Sequence, residues 1–435
     1  MSKQVSQQFR LTEFHAPGIR GTGNQVIVQS RRYQAGSKQT LAQALVAIAA
    51  AGASYAWAIG LSPPAVARQL AAPEAMLVRA LIDIGESRFS SALDQIEKLL
   101  VSNPNFRLAQ LVKGDLLLAR SRPISSIGNA SGAPTEQVDG LREEARARLA
   151  RYQISTPGNF APRYLLQMPQ KQKYALVLDS AKSTLYVFEN SAGAARYVAD
   201  YYVTIGKNGL EKRREGDKRT PIGVYHVVSQ LPKEKLTDFY GNGAFPINYP
   251  NEWDRVRGRE GFGIWLHGTP RDTYSRPPRA SDGCIVLANA DLDALARILQ
   301  IGSTPVVIAD SLHWVRPGEV EAMRSDLLDS IESWRRDWES RNTESYLRHY
   351  AGNFSSNGMT LAQWSTQKRQ VNASKAWIKV QLSELSLFLY PGKEEIAVAT
   401  FEQDYASSNL SNRMIKRQYW FKEAGRWRIV YEGAA

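Results

Sequence analysis

Apolar positions along the chain change period twice, and each change marks a new architecture. From 73 to 120 they recur three and four residues apart, the spacing of one helix face, with a break at Ser102-Asn103-Pro104 that a helix interior does not accommodate. The pattern predicts two helices folded as a hairpin. A stretch rich in Ser, Gly and Pro at 121–140 reads as a linker, and 141–152 as a short basic helix. From Lys173 the period falls to two. YALVLDSAKSTLYVFEN, YVADYYVTIG, TPIGVYHVVSQ and FGIWLHGTP read as successive strands rich in Val, Tyr and Thr. After Glu319 a long amphipathic helix carries Leu327, Leu328, Ile331, Trp334 and Trp338, and a short helix follows at 346–350. Three long alternating segments then end in a hairpin turning at Glu423-Ala424-Gly425. Helices on one face of such a curved antiparallel sheet make a cone.

The predicted fold class is therefore multidomain. An N-terminal helical hairpin lies within 73–152, a mainly β domain with short helices over 173–310, and an α+β cone over 319–435. Ahead of them, residues 1–37 are polar, with a basic cluster at Arg31, Arg32 and Lys38, and read as disordered. The segment 38–62 contains an uncharged run from Leu41 to Leu61, as long as the roughly 20 residues that cross a bilayer. A basic flank before it and Ser-Pro-Pro after it match a signal anchor or signal peptide, and small residues around Ala53, Ser54 and Ala56 permit cleavage. The basic side stays in the cytoplasm, which places the rest of the chain in the periplasm, anchored to or exported across the inner membrane.

Composition narrows the chemistry. A chain of 435 residues with 43% hydrophobic and 22% charged side chains excludes both a wholly disordered protein and a polytopic membrane protein. The net charge of +13 favours an anionic partner. Nucleic acid is excluded as that partner, because the basic residues are dispersed and no recognition motif occurs. With one cysteine no intrachain disulfide forms, and His226, His313 and His349 lack metal-ligand spacing, so neither metal nor cofactor is expected.

That cysteine, Cys284, follows Gly283 and reads as opening an amphipathic helix that carries Asn289, Asp291 and the stripe Leu292, Leu295, Ile298 and Leu299. A helix N-terminus would give the thiol thiolate character, and the glycine would let a substrate carbonyl approach. His267, at a strand end seventeen residues earlier, is the natural base, with the Gly283 and Cys284 N–H groups facing a developing oxyanion. Composition alone leaves open a packed apolar cysteine beside a turn histidine. The loop holding Lys212, Arg213, Arg214, Lys218 and Arg219, and the one holding Arg271, Arg276 and Arg279, offer cations for substrate carboxylates or are simply solvated. Tyr249 and Trp265 flank the region as groove lining or as core.

At these residues the sequence resembles the L,D-transpeptidase catalytic domain family (YkuD type). The family pattern of His-Gly, a loop, then Ser/Thr-His-Gly-Cys and a downstream Asn reads here as His267-Gly268-Thr269, then Ser281-Asp282-Gly283-Cys284-Ile285 with Asn289. Gly216 to Gly223, with Thr220-Pro221, resembles the family's Gly-x-x-x-Thr-Pro-x-Gly element. The resemblance implies that Cys284 attacks the carbonyl between the third and fourth residues of a peptidoglycan stem peptide. His267 would be the base and the Gly268 carbonyl its orienter. Beside that, the residues themselves suggest Gly283, Ser281 and Asp282 as oxyanion support and Tyr249, Trp265, Asn289 and Arg279 as substrate contacts. The leading reading is transfer to an amine acceptor, which makes the enzyme a transpeptidase. Water makes it a carboxypeptidase trimming tetrapeptides to tripeptides; a silent wall-binding scaffold is the remaining alternative. Two positions depart from the pattern: Asp282 replaces the second histidine, and Val286 replaces an arginine.

The C-terminal segment resembles the nuclear-transport-factor-two-like fold. Catalytic domain followed by cone resembles the cell-shape-determining carboxypeptidases, with the cone implied to bind glycan or a protein partner. In the N-terminal part Ala80, Ala92, Pro104 and Gly114 resemble the packing and turn positions of a tetratricopeptide repeat, whose period is about 34 residues.

Overall fold

A computed structural model describes residues 72–435 apart from 125, 129–131, 154–157 and 159. The expectations for 1–37 and 38–62 lie outside the described residues. No helix among the described residues is long and apolar enough to cross a membrane.

The expected helical hairpin is three helices, α1 (Ala72–Gly85), α2 (Phe89–Ser102) and α3 (Arg107–Leu118). An additional break falls after Gly85, where Ser87 takes a φ of 61° and reverses the chain. The helical spacing of apolar residues runs across that break, which hides it in the sequence. Leu77, Leu81, Leu93, Ile96, Leu108, Val112 and Phe106 close one shared core. The next helix, α4 (Thr135–Gln153), begins inside the predicted linker.

Helix α4 buries charge. Arg148 is 2% exposed and bridges Glu74 of α1 and Glu144, the latter at 2.9 Å; Arg151 reaches Glu74 at 3.1 Å and also pairs with Asp200. The Arg148 guanidinium lies 3.9 Å from the centre of the Tyr202 ring and 5.2 Å from that of Phe106. Asp200 and Tyr202 belong to the central domain, so a desolvated ion network joins the helices to it. The same helical unit grips the loop ahead of Cys284. Phe106 stacks on Tyr274 at 4.3 Å, Ser275 donates to Glu144 at 2.6 Å, and Asn105 donates to the Arg271 carbonyl at 2.7 Å.

The central domain has two larger sheets and a two-stranded one that pairs Arg279–Ser281 with Ile205–Gly206. Strands β1 (Tyr174–Asp179), β2 (Thr184–Ser191), β3 (Ala194–Tyr202), β4 (Gly223–His226) and β8 (Pro305–Ala309) stand in the order β3-β2-β1-β8-β4. Strands β5 (Gly243–Pro246), β6 (Trp265–His267) and β7 (Ile285–Val286) form the second, in the order β7-β6-β5, with Leu231–Pro232 at its edge. Alternation in β1 sends Leu176 and Leu178 toward Leu266, Ile285 and Leu292 of the second sheet and helix α5 (Asn289–Ala296). Ala175 and Val177 point the other way, into a core shared with the C-terminal domain.

In that domain α6 (Pro317–Glu339) turns Leu327, Ile331, Trp334 and Trp338 inward. The expected short helix spans Thr343–Leu347, and Tyr350 already opens a strand, Tyr350–Ser356. An unexpected helix, α7 (Leu361–Ala373), starts at a reciprocal Thr360/Gln363 capping box and buries one large apolar side chain, Trp364. Strands β9 (Ile378–Tyr390), β10 (Ile396–Ser407), β11 (Leu410–Glu423) and β12 (Arg426–Ala434) pair in sequence as antiparallel neighbours, and the sheet stays open. Leu165–Gln167, ahead of the central domain, adds to its edge beside β9.

The ion network yields a stability prediction. Arg148→Ala strands Glu74 and Glu144 in a dry interface and costs about 3–5 kcal/mol. Replacing the half-exposed Arg88, paired with Asp83, costs at most about 1 kcal/mol. Urea unfolding of the two variants should show that contrast.

Candidate active site

Two short parallel strands set the site. In the β6/β7 register Leu266 is opposite Ile285 and His267 opposite Val286. Leu266 and Ile285 enter the core. Strand alternation therefore assigns Trp265 and His267, and Cys284 just before β7, to the opposite face.

Cys284 opens a strand rather than a helix, since α5 begins only at Asn289. This overturns the expectation of a thiol activated by a helix N-terminus. Cys284 is partly exposed, and its Sγ donates to the Gly263 carbonyl at 3.3 Å. Burial of the sulfur pushes the thiol up to about 11, against the opposing Trp265 backbone N–H. His267 is 1% exposed, with Phe239 at 5.8 Å and the Tyr240 ring edge-on at 5.2 Å. Its Nδ1 lies 2.7 Å from the Gly268 carbonyl, which accepts a hydrogen bond from the Nδ1–H tautomer and leaves Nε2 as a base. Burial drops this imidazole to about 4, opposed by the Gly268 carbonyl and assisted by nearby Arg276. At neutral pH the pair is thus thiol and neutral imidazole.

The cysteine turn is fixed by a serine and a threonine. Buried Ser281 donates to the Cys284 carbonyl at 2.6 Å and accepts the Gly283 N–H at 3.1 Å. In this state that N–H, expected to face an oxyanion, donates to the serine instead. Gly283 has a φ of 127°, and a Cβ there would stand 2.7 Å from the Arg219 carbonyl. Fully buried Thr220 accepts the Gly206 N–H at 2.9 Å and donates to the Gly283 carbonyl at 2.8 Å. The Thr-Pro element was visible in the sequence, but nothing local revealed that its hydroxyl braces the cysteine turn. Asp282 points into solvent and pairs with Lys207 at 3.1 Å.

Several other predicted site residues make structural bonds. The Asn289 carboxamide accepts the Asn242 N–H at 3.0 Å and donates to the Thr269 carbonyl at 2.8 Å, which clamps the loop after His267. A Cβ at Gly241 or Gly268 would come 2.1 Å from its Oδ1. Tyr249 is core, its hydroxyl donating to the Glu260 carbonyl at 3.0 Å. Lys212 is buried and ion-paired with Asp217 at 3.0 Å. Against the upward pull of burial, the backbone N–H groups of Arg213, Arg214 and Arg219 and the Lys212 ammonium hold Asp217 at about 2. The basic loop is therefore folded around its own carboxylate, and Lys212 is withdrawn from any substrate. Trp265 is half-buried, 4.9 Å from Tyr240, and Arg279 is exposed on a strand beside Ile205–Gly206. Among the described residues no group of three His, Cys, Asp or Glu gathers to hold a metal.

Residues 172–308 match the L,D-transpeptidase catalytic domain (YkuD), and residues 326–433 match the Cds6 C-terminal NTF2-like domain. The two matches, with the fold, support a peptidoglycan-modifying enzyme of L,D-transpeptidase-like class. Two solved structures share the architecture. One, of Bdellovibrio bacteriovorus Bd1075, is 29% identical over 63% of this chain and 98% of its own, with a TM-score of 0.56. The other, the helical cell shape determining protein Pgp2 from Campylobacter jejuni, is 25% identical over 63% of this chain and 95% of its own, with a TM-score of 0.55. No curated protein sequence matches the chain.

The neutral resting pair predicts how Cys284 alkylates. Iodoacetamide, which reacts with thiolate, should modify it slowly at pH 7 and faster by roughly tenfold per pH unit up to about pH 10. A rate already at plateau at neutral pH would contradict the raised thiol.

Proposed function

We propose that the protein trims or transfers peptidoglycan stem peptides through a thioester on Cys284. The observation that carries this reading is the β6/β7 register, which assigns Cys284 and His267 to one sheet face, with the His267 Nδ1–H turned onto Gly268. When a tetrapeptide stem binds, the Cys284 Sγ–H gives its proton to His267 Nε2, and sulfur bonds to the carbonyl carbon of the third residue. Collapse of the tetrahedral intermediate breaks the bond to the fourth residue, whose nitrogen takes the proton from His267 and leaves as free D-alanine. An acceptor then gives a proton to His267 and attacks the thioester, which returns the thiol.

Water is the acceptor favoured here, because the catalytic-plus-cone architecture is shared with a protein that determines helical cell shape. A neighbouring stem amine is the second reading, supported by the YkuD domain itself. The cone is an accessory binding domain for glycan or protein. Residues 38–62 direct or anchor the chain so that the enzyme works in the periplasm.

Incubation with disaccharide tetrapeptide, followed by mass spectrometry, should yield disaccharide tripeptide and free D-alanine. Cys284→Ala should abolish release and His267→Ala should lower it by at least about a hundredfold. Crosslinked dimers in place of tripeptide would assign the amine acceptor. D-alanine release by Cys284→Ala would refute the thioester.

A further inference from the structure

Arg276 sits in the loop between the two halves of the site, and neither strand carries it. Its guanidinium lies 4.7 Å from the centre of the Phe239 ring, and Phe239 in turn packs on His267. The side chain is half-buried. Among the described residues it has no carboxylate at ion-pair distance and no hydrogen-bond acceptor, whereas the buried Arg148, Arg151 and Lys212 are all ion-paired. Its neighbouring carboxylate, Asp282, is taken by Lys207. Burial lowers the Arg276 pKa, opposed by Asp282 and the Cys284 sulfur, so the cation stands within electrostatic reach of the reacting thiol.

The backbone beneath it is built. Tyr202 and Thr204 hydroxyls both donate to the Arg276 carbonyl at 2.9 Å. The flanking Tyr274 and Ser275 are held by Phe106 and Glu144 of the helical unit. A half-buried guanidinium on a braced backbone, with no carboxylate of its own, is suited to receive one.

We propose that Arg276 binds the free C-terminal carboxylate of the stem's fourth residue, a specificity device that the N-terminal helices hold in place. The inference rests on the acyl-enzyme reading above. Attack on the third residue's carbonyl leaves that carboxylate three covalent bonds from the reacting carbon. A planar fork reads it bidentately, which a side-chain amide or an internal peptide bond cannot satisfy. The enzyme would then select stems that end at the fourth residue.

Two substrates separate the possibilities: disaccharide tetrapeptide with a free C-terminus and the same compound as its C-terminal amide. Wild-type protein should process the acid with kcat/KM at least roughly tenfold above the amide. Arg276→Gln should lose that factor on the acid, chiefly through KM, and stay within about twofold of wild type on the amide. Arg276→Lys should recover part of the loss. Equal rates on acid and amide by wild-type protein, or an equal fall on both in Arg276→Gln, would overturn the receptor while leaving the acyl-enzyme intact. Turnover of neither substrate by wild-type protein would overturn the acyl-enzyme reading, and the receptor with it.

Discussion

The parallel pairing of Trp265–His267 with Ile285–Val286 is the constraint on which the site depends. Side chains alternate across a strand, so a slip of one residue would take either Cys284 or His267 off their shared face and put Leu266 or Ile285 on it. Burial of Leu266 and Ile285, each fully enclosed, fixes the register. The clamps around it act on the same two strand ends. Asn289 ties the segment after His267 to the Asn242 loop, and Ser281 with Thr220 holds the turn before Ile285. The placement of Cys284 and His267 is thereby a by-product of ordinary sheet packing with a few buried hydroxyl and amide bonds.

Burial also sets the electrostatics. Desolvation raises the Cys284 thiol and lowers the His267 imidazole, so each is neutral at rest. The helical unit enters this economy from outside the catalytic domain. Its ion network is anchored on Asp200 and next to Tyr202, and its Phe106 and Glu144 fix the loop that carries Arg276.

Much of this was legible in the sequence, where periodicity carried the signal. The alternating strands, the long α6 stripe of Leu327, Ile331, Trp334 and Trp338, and the terminal hairpin at Ala424 follow from local spacing. Cys284 and His267 stood out through motif spacing. What escaped depends on contacts between distant residues. Helical periodicity ran on through Gly85 to Arg88 and concealed a turn, and α7 buries too little apolar surface to stand out except by its Thr360/Gln363 cap. Tyr249, Asn289 and Lys212 carry functional groups that the fold consumes internally, a fact no local pattern records. The short β7 strand was mistaken for a helix start because Ile285, Val286 and Leu287 have no period long enough to read.

The central claim is that Cys284 becomes acylated by the stem peptide. Acid-quenching the protein with excess disaccharide tetrapeptide and measuring the mass of the peptide that contains Cys284 tests it most directly. The account predicts an adduct equal to the substrate less D-alanine, carried on Cys284 and lost in Cys284→Ala. Release of D-alanine with Cys284 unmodified throughout the time course, and undiminished when the cysteine is replaced, would contradict it.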